Sequence, residues 1–587
     1  MTSKGSSPSP QDNRSKKPPD LREFTPRSVI VGILVAVLMG TSYPYVVLKL
    51  GFGPNISVVS AFFGFLALGF VFKDYNRWEN NIVQTAGTSA GQLAFMCVLL
   101  AAFDMLRASK TVHFDMELTW LQSFLWLMTA GLLGVFLSVP MRRHFVVDEN
   151  LPYPDGTAAG TTLIVLDQRG STAKRTTQAM LFGLAASAFL MLMTEDAYVL
   201  NWFPSVLPLG TVLMQTMGVG VNWSLLSVGS GMLVGLRIDV SMLIGGTLSW
   251  VIAPYLLSRY GLLPEVKRNN VLFWVMWPAT GMLVAGGITA LFLRWNILVR
   301  TFKNLSSPTV AGHEFPLRWV WTGATLSAIA LVIVQKVFLG LEVWATVVAI
   351  LLSVPLMLVC LRVLGETNWA PISALSNMMQ GIFGVLAPGH IQANMLASGT
   401  TGTIAAGSEA LMQDYKAGEL IGSTPRYLTY MQIIGTPIGA AAVSFIYPIL
   451  RNTYGIVGEH AGLTSPISRK WAGFAEILSR GFEALPPGSL VALAIGIGLG
   501  ILLPILEGRF DKNWVPSPTG LGIGMLVPFS VIFMMFVGGF LDILWKKAAP
   551  KAHGVLSTPL ASGLIAGEAI VAVVVPLLVL LGIVHAS

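Results

Sequence analysis

The chain has 587 residues, 54% of them hydrophobic and only 11% charged. Nine of its 66 charges lie in the first 27 residues, so about a tenth of the remaining 560 positions are charged, where a soluble chain carries roughly a quarter. That cannot cover the surface of a soluble protein of this length. It excludes a soluble enzyme, a nucleic-acid binder and a disordered scaffold, and leaves an all-α polytopic membrane protein.

Segment 1–27, rich in Ser, Pro, Gln and Lys, reads as a disordered basic tail. It has no cleavage pattern of a signal peptide, and its charge places the N-terminus in the cytoplasm. The net charge of +8 arises there and in short loops such as Arg142-Arg143, Lys267-Arg268 and Lys546-Lys547, which is the distribution of topogenic charge. A spanning helix needs about 20 apolar residues. Apolar runs begin at 28–48, 56–72, 81–103 and 119–140 and continue to 521–541 and 558–583. With the half-polar stretch 151–166 they give about 16 transmembrane helices, within a range of 14–17. Cys97 and Cys360 fall inside apolar runs and read as core residues.

The runs repeat. Gly231-Met-Leu-Val234 with Gly245-Gly246 recurs as Gly524-Met-Leu-Val527 with Gly538-Gly539, at an offset of 293 residues. Ala158-Ala-Gly160 with Asp167 is matched by Ala405-Ala-Gly407 with Asp414. This order is expected of two duplicated transmembrane halves, 28–317 and 318–587, the second carrying a polar insertion at 451–487. Duplicated halves with interrupted segments are the architecture of secondary transporters, whose substrate site lies between the repeats.

Two polar stretches interrupt the apolar pattern. Tyr153, Asp155 and Thr157 lie in the first, and Gln392, Asn394, Ser398, Thr400 and Thr401 in the second. Irregular backbone at membrane depth is tolerated where it is buried in protein or lines a wet cavity. These eight residues are therefore the expected substrate-binding set, the alternative being an interface loop without a ligand. Three acids are candidate proton carriers: Glu366, Glu409 and Glu568. The last two have no acidic counterpart in the other half, and an ionisable residue inside a span marks function by default. The bland alternative is that each accepts hydrogen bonds from a neighbouring helix N-terminus. Arg237 and Asp239, facing Ser530 and Ile532 in the repeat, read as a loop between two short spans. No phosphate-binding loop, zinc motif or nucleophile–base arrangement occurs, so no catalytic residue, resident metal or cofactor is expected. The energy source would be a proton gradient.

Taken together, LPYPDGTAAG at 151–160, Asp414-Tyr-Lys-Ala-Gly418 leading to Ser423-Thr-Pro-Arg426, GMLVP at 524–528 and SGLIAGE at 562–568 resemble the oligopeptide transporter (OPT) family. The chain is more similar to its yellow stripe-like and prokaryotic branch, because the NPG and KIPPR motifs of the peptide branch are missing. The resemblance implies a proton-coupled importer of small peptides or peptide-like metal chelates, of the metal–nicotianamine or siderophore type. The partners expected are that substrate and the bilayer; the loop placement of the basic residues leaves no nucleic acid, and the small-residue helix faces suit internal packing or a homodimer equally well. Short loops fit a prokaryotic inner membrane. The rivals are a passive channel or facilitator and a membrane-embedded enzyme acting on a lipid-linked substrate.

Overall fold

The computed structural model describes residues 21–50, 56–72, 75–109, 112–167, 171–194, 202–263, 265–293, 314–457, 463, 465–479, 486–510 and 514–580. The helices of the first part are α1 (Pro26–Leu50), α2 (Ile56–Leu66), α3 (Arg77–Ala94), α4 (Cys97–Arg107), α5 (Trp120–Ser138), α6 (Pro154–Asp167), α7 (Ser171–Met193), α8 (Val212–Thr216), α9 (Leu225–Val234), α10 (Leu236–Thr247), α11 (Ala253–Arg259) and α12 (Arg268–Leu293). Those of the second are α13 (Leu317–Val337), α14 (Val343–Thr367), α15 (Ile372–Leu386), α16 (Ile391–Ile421), α17 (Pro425–Tyr454), α18 (Pro466–Ser479), α19 (Ser489–Arg509), α20 (Pro518–Leu526), α21 (Phe529–Ala548) and α22 (Pro550–Leu580). A hairpin of β1 (Val206–Pro208) and β2 (Gly220–Asn222) is the only sheet among the described residues.

The protein is an all-α polytopic membrane protein. Among the described residues, 12 helices are long and apolar enough to cross a membrane, α3 and α4 forming one of them together. The shorter apolar segments are Ile56–Gly69, α9 and α15. These half-length helices, with the polar α16, supplied much of the larger count expected from sequence. Local signals set the ends. Thr119 and Gln122 form a capping box on α5, Asn76 caps α3, and α14 stops at Asn368, whose φ of 64° is a left-handed terminus.

Glycines fix how the helices meet. A side chain on Gly231 of α9 would strike the carbonyl of Met535 on α21, and one on Gly524 of α20 would strike that of Met242 on α10. Likewise Gly245 faces the carbonyl of Leu521, and Gly538 that of Val228. The 293-residue offset turns each contact into its partner: 231 and 242 become 524 and 535, while 245 and 228 become 538 and 521. The helix breaks correspond too, at Gly235 between α9 and α10 and at Val527-Pro528 between α20 and α21.

Three details differ from the sequence expectations. Residues 1–20 of the tail lie outside the described residues, but the expected tail does not extend to residue 27. Glu23 is buried, accepting hydrogen bonds from Thr424 N (2.9 Å) and Oγ1 (2.8 Å). The 451–487 stretch contains α18, which buries Trp471 and Phe474 and whose Ser468 donates to the Val98 carbonyl. Finally, α16 runs unbroken for 31 residues through the expected interruption at 392–407. Its glycines serve close packing, Gly407 against Gly131 and Gly399 against the Trp126 ring.

Candidate functional site

The interruption at 149–153 meets the one at 368–371. Tyr153 N donates to Gly365 O (3.0 Å) and Tyr153 OH to Leu361 O (2.9 Å). Asp155 N donates to Asn368 Oδ1 (3.0 Å), and Asn368 Nδ2 donates back to Asp155 Oδ1 (2.8 Å). Gln413 of α16 accepts from Gly156 N at 2.7 Å. Tyr153 and Asn368 both hold positive φ, 41° and 64°. Such backbone costs of order 1–3 kcal/mol per residue, and here each half of the interlock holds the other in place.

Burial shows which side this interlock faces. From Ala393 to Gly418, Glu409 is the one residue of α16 that is not buried. From Trp78 to Ala94, Gln92 is the one residue of α3 that is not buried. The two meet, Gln92 Nε2 donating to Glu409 Oε2 at 2.8 Å. In the first turn of α6, Asp155 and Thr157 are half-buried beside buried Gly156 and Ala158. Asp155 and Glu409 are electrostatic neighbours, and Tyr43 of α1 lies within the field of both. Asn368 also reaches Ser230 of α9 at 3.4 Å. Helices α1, α3, α6, α9 and α16 and the end of α14 thus bring two carboxyls, two amides and hydroxyl groups into one neighbourhood of the helix bundle.

The predicted residues divide around this opening. Asp155 and Glu409 come together at it. Thr157 is beside them, its Oγ1 donating to Pro152 O (2.6 Å). Tyr153 is fully buried and braces the interlock. Four of the α16 side chains make helix contacts: Asn394 to Gln380 O, Ser398 to Met395 O (3.0 Å), Thr400 accepting from Trp126 Nε1 (3.1 Å) and Gln335 Nε2 (2.7 Å), and Thr401 with Ser353 (2.8 Å). Gln392 lies apart from Glu409, at the rim of a cavity of about 490 Å³ that His113, Asp115, Glu117, Gln122 and His390 also line.

Of the other two acids, Glu568 caps α9 by accepting from Ser224 Oγ (2.9 Å) and Leu226 N (3.0 Å). Glu366 pairs with Arg362 at 2.7 Å and accepts from Thr519 Oγ1. Arg362 also pairs with Glu149 at 2.8 Å, and Glu149 is 3.0 Å from His144 on its other side. All four are in or near the interlock, and the network ties α14 to the turn before α6 and to α20. Asp414, the repeat partner of Asp167, is buried and accepts from Gln84 (2.6 Å) and Gln432 (2.5 Å).

Sequence reasoning missed Tyr43, Gln92, Glu149, Arg362 and Asn368. Only Asn368 carried a signal, an Asn three residues before Pro371, which marks a helix stop.

The family model of the OPT oligopeptide transporter proteins matches residues 23–579. The chain is 24% identical to "Probable metal-nicotianamine transporter YSL8" of Arabidopsis thaliana, over 94% of this chain and 85% of that protein. It is 23% identical to "Metal-nicotianamine transporter YSL2" of the same plant, over 94% and 93%. A similarity of 23% to "Putative oligopeptide transporter YGL114W" of Saccharomyces cerevisiae covers 98% of both chains.

Proposed function

The chain belongs to the oligopeptide transporter (OPT) family, and we propose that it is a proton-coupled secondary transporter of peptide-like metal chelates working by alternating access. The observation that carries this reading is Glu409, the single opening in an otherwise buried stretch of α16, with Asp155 and the paired helix breaks beside it. A carboxyl whose hydrogen-bond partner is a neutral amide suits proton exchange. Ionised, it accepts from Gln92 Nε2; protonated, it can donate to the amide oxygen, so the partner persists through the cycle. The Asp155–Asn368 pair lies where two interrupted segments meet, at the N-terminus of α6. Half-helix ends of this kind bind charged groups of transporter substrates, and amino-acid-derived chelates present both carboxylates and amines. The interlock of 149–153 with 368–371 is the joint about which the two sides of the site open in turn.

Chelates come first because metal-nicotianamine transport is named for two of the relatives above, whereas oligopeptide transport is named for the yeast protein. In the cell the basic tail keeps the N-terminus cytoplasmic, in a prokaryotic inner membrane. The test is counterflow in proteoliposomes: vesicles preloaded with nickel–nicotianamine should accelerate entry of labelled chelate, and vesicles loaded with a tripeptide should not. Acceleration by the tripeptide alone would make the substrate a peptide. Large single-channel currents without counterflow would make the protein a channel.

A further inference from the structure

We propose that Asp239 is a second proton-carrying carboxyl of the transport cycle, an inference that rests on the proton-coupled reading above but uses a different part of the molecule. Asp239 sits in the first turn of α10, four residues after the break at Gly235, where φ is 96°. It is 0% exposed, and among the described residues neither carboxyl oxygen has a hydrogen-bond partner. Its Oδ2 rests against Gly539 of α21, where any side chain would overlap it.

Among the described residues no neighbouring charge compensates it. Helices α9 and α20 and the turn 248–252 contribute no titratable group. Arg237 on α10 itself is turned to Glu507 and the Val515 carbonyl. On α14, Arg362 and Glu366 are engaged with each other, with Glu149 and with Thr519. On α21, Asp542 is bound to His553 and Ser557, and Lys546 and Lys547 are exposed. An ionised carboxylate left alone in such surroundings is far more costly than a neutral one, so this conformation holds the acid with its proton.

The scaffold does not require an acid here. Under the offset that exchanges the four glycine contacts, 239 corresponds to 532, and Ile532 is equally buried. An apolar side chain therefore fills the same place in the other half. A polar group without a partner, in a span whose symmetry mate is apolar, has its explanation in function rather than packing. The Gly235 break supplies the motion. It joins α9 to α10 through one residue in a conformation open to glycine, so that a change of angle there would bring Asp239 to water and release the proton.

The test uses the full chain in proteoliposomes and two readouts. The first is uptake of nickel–nicotianamine driven by an imposed pH gradient, compared for wild type, Asp239→Asn and Asp239→Glu. The second needs no substrate: the protonated-carboxyl band in infrared spectra taken across a pH titration. Asp239→Asn should remove one component of that band and cut gradient-driven accumulation by about tenfold for each pH unit of gradient, the loss expected for one proton. Asp239→Glu should retain the band at a displaced pH midpoint, and it keeps the test alive should the Asn variant not fold. An unaltered band in Asp239→Asn, an unmoved midpoint in Asp239→Glu, or a sodium requirement abolished by Asp239→Asn would overturn the proposal. Wild type that ignores the pH gradient while retaining the Asp239 band would instead overturn proton coupling of transport.

Discussion

Arg362 holds three parts of the site together, and Arg362→Met asks what that is worth. The guanidinium is 7% exposed, lies 2.8 Å from Glu149 and 2.7 Å from Glu366, and Glu149 is itself 2% exposed. Methionine fills much of the volume but takes the guanidinium away from the buried Glu149 side chain, which keeps His144 at 3.0 Å. Removing one partner of a buried ion pair costs about 3–5 kcal/mol, because the remaining charge is uncompensated. Glu366 lies nearer solvent at 16% exposure, so most of the loss comes through Glu149. The variant should therefore lose about 3 kcal/mol or more of unfolding free energy, measured by SDS titration in mixed micelles. Arg362→Met with Glu149→Gln should recover at least about 1 kcal/mol of it, since the stranded charge is gone. A loss below about 1 kcal/mol, or a double variant weaker than the sum of its singles, would refute the claim that this pair is a buried, mutually dependent unit.

Asn368→Ala removes both hydrogen bonds to Asp155 and puts at φ 64° a residue less tolerant of the left-handed region than asparagine. KM for the chelate should rise about tenfold, as expected for loss of a hydrogen bond to a charged group worth about 1.5 kcal/mol; an unchanged KM would remove the interlock from the substrate site. Gly231→Leu and Gly524→Leu should each abolish the folded protein in size-exclusion chromatography, because each side chain would meet a carbonyl of the facing helix. A monodisperse peak from either would contradict the close approach. Thr400→Val should lower stability by about 1–3 kcal/mol through the unpaired Trp126 and Gln335 donors while leaving KM unchanged. A raised KM at wild-type stability would return Thr400 to the substrate cavity.

The membrane class and helical architecture were legible because they follow from composition and run length, which need no tertiary information. The glycine offset was legible for the same reason: backbone contact demands glycine on whichever helix presents it, so Gly231 and Gly524 are each marked in the sequence. Depth and facing were not. Ser398, Thr400 and Thr401 look like a cavity lining in one dimension, yet the helix turns them towards Met395, Trp126 and Ser353. Glu568 and Glu409 are alike as isolated acids in apolar runs, and only packing shows that one caps α9 while the other opens inward. Asp239 was read as a loop residue because Arg237 stands two positions away. The structure separates them, sending the arginine to Glu507 and leaving the acid without a hydrogen-bond partner among the described residues.

The central claim is that a proton taken up at Glu409 drives the substrate. It is tested most directly by the accumulation ratio of labelled chelate in proteoliposomes under an imposed gradient of about two pH units, for wild type and Glu409→Gln. Each coupled proton supports about a hundredfold accumulation at that gradient, since each pH unit is worth 1.36 kcal/mol. Wild type should reach at least this ratio, and Glu409→Gln should lose about a hundredfold of it. A Glu409→Gln variant that still concentrates the chelate as wild type does would contradict the account.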